Sequence, residues 1–318
     1  MKRLLLYVHF NKYNHISSHV YYQLTKMRPL FSKVVFISNS SINEQDYHKI
    51  VELRLMDQFI QRENIGFDFA AWRDGMTAVG FEELATYDSV TIMNDTCFGP
   101  LWDIKDYYLE YESDDSVDFW GLTNNRATSK SRYTQGFREH IQSYFITFKK
   151  SVIVSPEFKN FWENVKNYTN VQDVIDNYET QVTTKFLDAG FKYKVIFNTV
   201  NEDASHMLHA DFSFYHPTAI LSHRVPFIKV KAIDNNQHIT PYLLDEITKQ
   251  SDYPVDLIIS HMSEINFPDF KYLLARKYIK EVPAVSLADK KIAVHLHVFY
   301  VVLIRRFLLN CFLKNFPF

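Results

Sequence analysis

Glycine is scarce in this chain, seven residues in 318. None falls in the spacing of a G-x-G-x-x-G turn or of a P-loop, so a glycine-rich phosphate cradle is excluded. Cysteine is scarcer still. Cys97 and Cys311 stand far apart, outside any paired metal or redox spacing, which leaves a disulfide framework without support and fits a reducing cytoplasm. Neither sign of charge dominates: 35 Lys plus Arg face 37 Asp plus Glu. Without a basic excess, nucleic acid is excluded as the main partner. Long apolar runs are missing too. Ile292 to Ile304, interrupted by His295 and His297 and followed by Arg305-Arg306, is too short to span a bilayer. It reads as a strand and amphipathic helix opening another region, or as a helix lying on a membrane surface. No Ser or Cys sits in an elbow beside an identifiable base, which sets covalent hydrolysis aside.

What is abundant is apolar and aromatic. Apolar residues make up 47% of the chain, enough for a continuous core in one large domain or two small ones. The 20 Tyr, 27 Phe and 4 Trp offer flat faces for sugars and bases, although most of them are accounted for by core filling. Met1-Lys2-Arg3 before Leu4-Leu5-Leu6-Tyr7-Val8 has the outline of a signal peptide, but His9 and Asn11 break the run early. It is read as a buried strand.

Along the chain, strand and helix patterns alternate. Leu4 to Phe10 is followed by Ile16, Val20, Leu24 and Met27 at helical spacing, then by Val34-Val35-Phe36-Ile37. Phe59 to Gln61 predicts a third strand, with Phe69, Trp72, Met76 and Val79 on one helix face after it. Ser89 to Met93 predicts a fourth, ending in Asn94-Asp95-Thr96 with Gly99-Pro100 beyond. Further strands are predicted at Val117 to Leu122 and Tyr144 to Phe148, and helices at Pro156 to Tyr168 and Val174 to Leu187, the latter closed by Ala189-Gly190. The polar stretch Thr123 to Glu139 is a loop over a site or an ordinary surface connection. This alternation predicts an α/β fold with a mainly parallel sheet flanked by helices, whose ligands bind at the carboxyl ends of the strands.

Four segments carry candidate chemistry. Asn94-Asp95 sits where a buried strand opens into a turn, a place suited to oxygen ligands for Mg²⁺ or Mn²⁺, although a lone Asp there also serves simply as a turn residue. In Arg62 to Gly75, Gly66 permits close backbone approach, Asp68 can cap the following helix and Arg73 can reach a phosphate; a capped helix with a solvated Arg73-Asp74 pair is the plain alternative. His140 enters an otherwise buried strand and by itself is more readily a hydrogen-bonded structural residue. Glu179, placed near the start of a helix, can accept a proton from a hydroxyl or merely favour the helix dipole.

In this order, Val35-Phe36-Ile37-Ser38-Asn39-Ser40, Arg62-Glu63-Asn64 through Phe67-Asp68-Phe69, Met93-Asn94-Asp95 through Gly99-Pro100, Asp118-Phe119-Trp120-Gly121 and His140 through Phe145 resemble the rhamnan-synthesis F family. Tyr178-Glu179, His216-Pro217-Thr218 and Pro226-Phe227-Ile228-Lys229 extend the likeness to roughly residues 3 to 290. The resemblance implies a GT-A-like, single-Rossmann-type domain over 1–290 and, at 291–318, the opening strand and helix of a truncated second region. It implies transfer of L-rhamnose from dTDP-L-rhamnose to a lipid-linked, rhamnose-containing cell-wall polysaccharide or O-antigen, by inversion, at the inner face of the bacterial membrane beside other polysaccharide-synthesis enzymes. Asp95 would hold the metal; Gly66, Asp68, Arg73, Asp74, Asn94 and Lys229 would bind the donor; Glu179, with His140 second, would be the base. Asn94 stands where the D-x-D pattern has its first carboxylate, which implies weaker metal binding. Two alternatives stay open at this stage, a non-catalytic carbohydrate-binding or assembly subunit, and a transferase with another donor such as UDP-hexose or CDP-ribitol.

Overall fold

A computed structural model of the chain describes residues 1–129, 136–205, 207 and 211–265. The strands are β1 Arg3–His9, β2 Lys33–Ser38, β3 Gln58–Gln61, β4 Ser89–Asn94, β5 Cys97–Phe98, β6 Phe119–Asn125, β7 His140–Ile141, β8 Phe145–Lys149, β9 Tyr193–Phe197 and β10 Ile228–Lys229. The central sheet runs β3-β2-β1-β4-β8-β6-β7, with β9 also paired to β6. The β1, β2, β3 and β4 pairings are parallel, and β9 lies parallel to β6. Strand β8 is antiparallel to both β4 and β6, so it is a reversed strand wedged between parallel ones.

Both faces of the sheet are covered, which is why its strands read as unbroken apolar runs. Side chains alternate across β1. Leu4, Leu6 and Val8 pack against Phe69, Trp72 and Met76 of the helix Phe67–Val79, while Leu5 and Tyr7 pack against Val20, Leu24 and Met27 of the helix Ser18–Met27. Trp72, Trp120 and Trp162 are completely buried, so core filling claims these large rings, as the composition suggested.

Chain order makes β1 a switch point. From it the chain steps outward through β2 to β3, and then returns to β1's other side as β4. The connections on the two sides diverge there, so the carboxyl ends of β1 and β4 open a crevice between them. Asp95 follows β4 and Phe10 follows β1 at this point.

Several boundaries differ from expectation. The helix from Pro156 stops at Glu163 rather than Tyr168. The next begins at Val171 and passes through a π-helical turn, Ile175–Glu179, before continuing as Thr180–Asp188. Glu179 therefore sits in mid-helix, not in a first turn. Gly190 closes this helix with a φ of 93°. In the polar stretch after β6, Thr128 bridges Phe137, and Lys130 and Arg132 lie outside the described residues. So do the boundary at 290 and the apolar segment Ile292 to Ile304. Two features had no sequence forecast: β9, and the short antiparallel ribbon of β5 with β10. No helix among the described residues is long and apolar enough to cross a membrane.

Candidate functional site

The crevice is built from three chain segments. At the end of β4, Asn94 is buried and Asp95 is partly accessible. The Asp95 amide donates to the Val8 carbonyl at 3.1 Å, and the Phe10 amide donates back to the Asp95 carboxylate at 2.9 Å. These two bonds tie β1 to β4 beyond the sheet. Asn94 has both ends engaged: its Oδ1 accepts from the Thr96 hydroxyl at 2.6 Å and the Thr96 amide at 3.2 Å. Its Nδ2 donates to Asp68 Oδ2 at 2.8 Å.

Asp68 comes from the first turn of the helix Phe67–Val79. Gly66 is the N-cap of that helix and no side chain caps it. Asp68 thus leaves the capping role open and turns toward Asn94, which corrects the expectation of a capping residue. The left-handed φ of Gly66, 72°, suits glycine. A Cβ there would also lie 2.5 Å from the Ala70 Cβ and 3.1 Å from the Asn167 Cα. The Gly66 amide donates to the Tyr168 carbonyl at 2.7 Å, so its close approach is to this chain's own segment.

Burial shapes the charge of the crevice. Asp95 is pushed up to about 8, mainly by desolvation, with the neighbouring charge of Asp68 adding to the effect. Asp68 is pushed up to about 6 by burial against the stabilising Asn94 bond, with Glu179 raising it further. That electrostatic coupling puts Glu179 in the neighbourhood of Asp68. Tyr178 stacks on Phe69 at 5.6 Å, docking the π-helical turn against the helix that carries Asp68. Such turns are frequent at functional sites.

Two buried histidines complete the surroundings of Asp95. His9 ends β1, 1% exposed; its Nδ1 lies 3.0 Å from the Ser38 hydroxyl, and its Nε2 is 3.9 Å from Asp95 Oδ2. Burial lowers His9 to about 4, so the ring is neutral. His19 Nε2 lies 3.4 Å from the Asp95 carbonyl, and burial drives its pKa well down. Sequence reasoning passed over both. The signal was present in His9, a titratable residue ending an apolar strand, but it was read only as breaking a hydrophobic run.

Beside this cluster, at the carboxyl ends of β1, β2 and β3, lies a cleft of about 560 Å³ walled by Asn11, Lys12, Asn39, Ser40, Arg62 and Glu63. Phe10, 46% exposed, stands at its edge. Arg62 organises the wall, donating to Asn39 Oδ1 at 2.7 Å, Asp74 Oδ2 at 2.8 Å and the Ile65 carbonyl at 2.6 Å. A larger concavity of about 660 Å³ lies around Trp102 and Arg224, away from the carboxylates; chemistry, not size, decides between them.

The remaining candidates are placed elsewhere or already engaged. Arg73 donates to Asp74, the Val165 carbonyl and Asn167 Oδ1, so its guanidinium clamps the 165–167 segment instead of reaching out to a phosphate, and Asp74 receives both arginines. His140, 2% exposed, binds the Arg138 carbonyl through Nδ1 at 2.9 Å and meets the Phe137 ring. Lys229 lies on β10 opposite Cys97, with its Nζ 5.0 Å from the centre of the Tyr144 ring. The Val230 amide donates to the Thr96 carbonyl at 2.8 Å, which fastens β10 beside the Asn94-Asp95 turn.

Among the described residues no group of three or more His, Cys, Asp or Glu side chains could hold a metal by itself. Asp68 and Asp95 nevertheless fit a hard divalent cation whose other positions are taken by ligand oxygens. Each is an oxygen donor, and each is raised by burial in a place where a cation would relieve the cost.

The chain is similar to several known proteins. The chain is 32% identical over 161 residues to the uncharacterized protein y4gN of Sinorhizobium fredii, covering 50% of this chain and 39% of that protein. It is 28% identical over 143 residues to virulence protein VirA of Vibrio anguillarum, covering 44% and 42%. The matches thus span about two fifths of the length of these curated relatives. Similar solved structures include the mannosyltransferase PcManGT from Pyrobaculum calidifontis in complex with GDP-Man and Mn²⁺, at TM-score 0.39 and 12% identity over 86% of this chain and 78% of that one. Another is the inositol-1-phosphate CTP transferase from T. maritima, at TM-score 0.38 and 9% identity over 63% and 86%. The model of the family described as Rhamnan synthesis protein F matches residues 34–318, a span that takes in all of β2 but its first residue and every later strand, and the chain belongs to that family.

Proposed function

We propose that this protein is a sugar-nucleotide-dependent glycosyltransferase that moves L-rhamnose from dTDP-L-rhamnose, with inversion, onto a lipid-linked, rhamnose-containing cell-wall polysaccharide or O-antigen. The observation that carries the reading is the hydrogen bond that brings Asp68 to Asn94, the residue next to Asp95, at the switch point beside a nucleotide-sized polar cleft. The family's description supplies only rhamnan synthesis; the dTDP donor and the lipid-linked acceptor are part of the proposal itself.

In this reading the nucleoside occupies the cleft, its base against the exposed Phe10 ring and its polar edges facing Asn39, Ser40 and Arg62. The diphosphate lies at the end of β4, with Lys229 beside the turn as a nearby positive charge. Mg²⁺ or Mn²⁺ held at Asp95 would supply neutralisation of the departing diphosphate. Glu179, partly accessible on its π-helical turn, takes the proton from an acceptor hydroxyl. That oxygen bonds to the anomeric carbon as the bond from carbon to the diphosphate oxygen breaks, and dTDP leaves with the electron pair. Orientation and preorganised charge do most of the work. The lipid-linked acceptor and partner enzymes of polysaccharide synthesis place the activity at the inner face of the plasma membrane.

The test is dTDP release by purified protein given dTDP-L-rhamnose and a rhamnose-terminated, lipid-linked acceptor. Acceptor-dependent release supports the reading. Sugar-nucleotide binding seen as a thermal shift, but without any turnover, would instead indicate a binding or assembly subunit. A shift only with UDP-hexose or CDP-ribitol would reassign the donor.

A further inference from the structure

The D-x-D pattern is read along one strand end, yet the carboxylates of this crevice come from two elements. We propose that Asp68, on the helix Phe67–Val79, supplies the carboxylate missing at position 94, and that Asn94 is a positioning residue holding it beside Asp95 to make a two-carboxylate site for Mg²⁺ or Mn²⁺. This rests on the donor reading above and gives its cation site a specific membership.

Asn94 cannot itself be the ligand without giving up its present bonds. Its one oxygen accepts twice from Thr96, and its nitrogen donates to Asp68 at 2.8 Å. Only a side chain with a donor at one end and an acceptor at the other performs both tasks. An aspartate at 94 would keep the Thr96 bonds but set a second carboxylate oxygen against Asp68 at hydrogen-bonding distance, which replaces attraction by repulsion. The amide at 94 is therefore the partner that a carboxylate at 68 requires.

A separate observation points to a missing occupant. His9 Nε2 is buried and makes no well-formed hydrogen bond among the described residues, although the His15 backbone lies close enough to the ring to favour its protonated form. It faces Asp95 Oδ2 at 3.9 Å, too far for a hydrogen bond. A buried polar atom left in this state calls for an explanation. A cation at Asp95, bringing its own shell of water or diphosphate oxygens, supplies one. Hard divalent ions commonly use one or two protein carboxylates together with phosphate oxygens, which matches a pair with no third protein ligand.

The experiment is an EPR titration of Mn²⁺ with the full chain and dTDP, corrected for Mn²⁺ bound by dTDP alone, in wild type, Asp68→Asn, Asn94→Asp and the double exchange. Asp68→Asn is expected to weaken Mn²⁺ by about tenfold or more. Asn94→Asp, which restores the linear pattern, is expected to weaken it as well, and the double exchange to bind better than either single variant. Unchanged affinity in Asp68→Asn, or tighter binding in Asn94→Asp, overturns the proposal. Should Asp68→Asn fail to fold, Asp68→Glu takes its place and must retain Mn²⁺ binding. Wild-type protein that binds dTDP but takes up no Mn²⁺ sinks the cation pair while leaving the donor reading intact. If dTDP does not bind, the donor reading falls, and Mn²⁺ titrated without nucleotide still decides between the four proteins.

Discussion

Replacing Asp95 by Asn should stabilise the cation-free protein at about pH 8 far more than at about pH 6.5. The carboxyl of Asp95 is held up to about 8 in the fold, against about 3.9 in an unfolded chain. Its contribution to stability is therefore complete below the unfolded value and disappears as pH rises through the folded one. Between about pH 6.5 and 8 the folded group keeps most of its proton while the unfolded chain has none to keep. At about 1.4 kcal/mol per pH unit, wild type loses roughly 1.5 kcal/mol over that window from this residue, and about 1 kcal/mol once the 14% accessibility of the side chain is allowed for. Asn has no proton to lose, and its Oδ1 can still accept from the Phe10 amide. Buried His9, His19 and His261 are neutral and pull the other way, gaining stability as pH rises through their unfolded range, but they are common to both proteins and cancel in the comparison. The assay is the melting temperature of each protein across this range in chelator. The gap between variant and wild type should widen by about 2 to 4 °C toward high pH. A gap that stays constant would mean that Asp95 is ionised throughout, and the desolvation argument fails.

Other outcomes follow from the same geometry. Glu179→Gln should lower turnover by about 10² to 10⁴-fold with donor binding unchanged, as equilibrium binding beside single-turnover rates would show; equal rates would remove Glu179 as base. Gly66→Ala meets both a positive φ and the Ala70 side chain, so chemical denaturation should show a loss of about 1 to 3 kcal/mol; a neutral result would contradict the tight packing of Gly66 on Asn167. Trp162→Ala, in the aromatic cluster of Phe69, Phe148 and Phe158, should cost about 3 to 5 kcal/mol. Arg62→Lys keeps the charge but loses the fork that joins Asn39, Asp74 and Ile65; nucleotide affinity measured by calorimetry should fall with the fold intact, and unchanged affinity would show that the cleft wall does not need this brace.

The alternation of apolar runs and helical faces made the sheet and its first four strands legible from residues alone, because a strand buried on both sides must be apolar throughout, as in Leu4 to Val8. The same logic put the polar ends of those strands, Gly66 to Asp74 and Asn94-Asp95, under suspicion. Strand β9 was less legible: Tyr193–Phe197 is largely half-buried and carries Lys194, so its sequence lacks the continuous signal. The π-helical turn was invisible, since nothing in Ile175–Glu179 distinguishes it from ordinary helix by periodicity.

Residue types and their order along the chain thus determined the fold class and the strand ends where chemistry could sit. Tertiary structure alone decided which polar groups meet there: it spends Arg73 and Asp74 on bracing a neighbouring segment, buries His140 against its own strand, and brings Asp68 from one element to Asn94 of another. The physical reason is range. Periodicity reports burial, which each residue experiences locally, whereas a hydrogen bond between residues 68 and 94 depends on a helix and a sheet packing to within a few tenths of an ångström, and no local pattern records that distance.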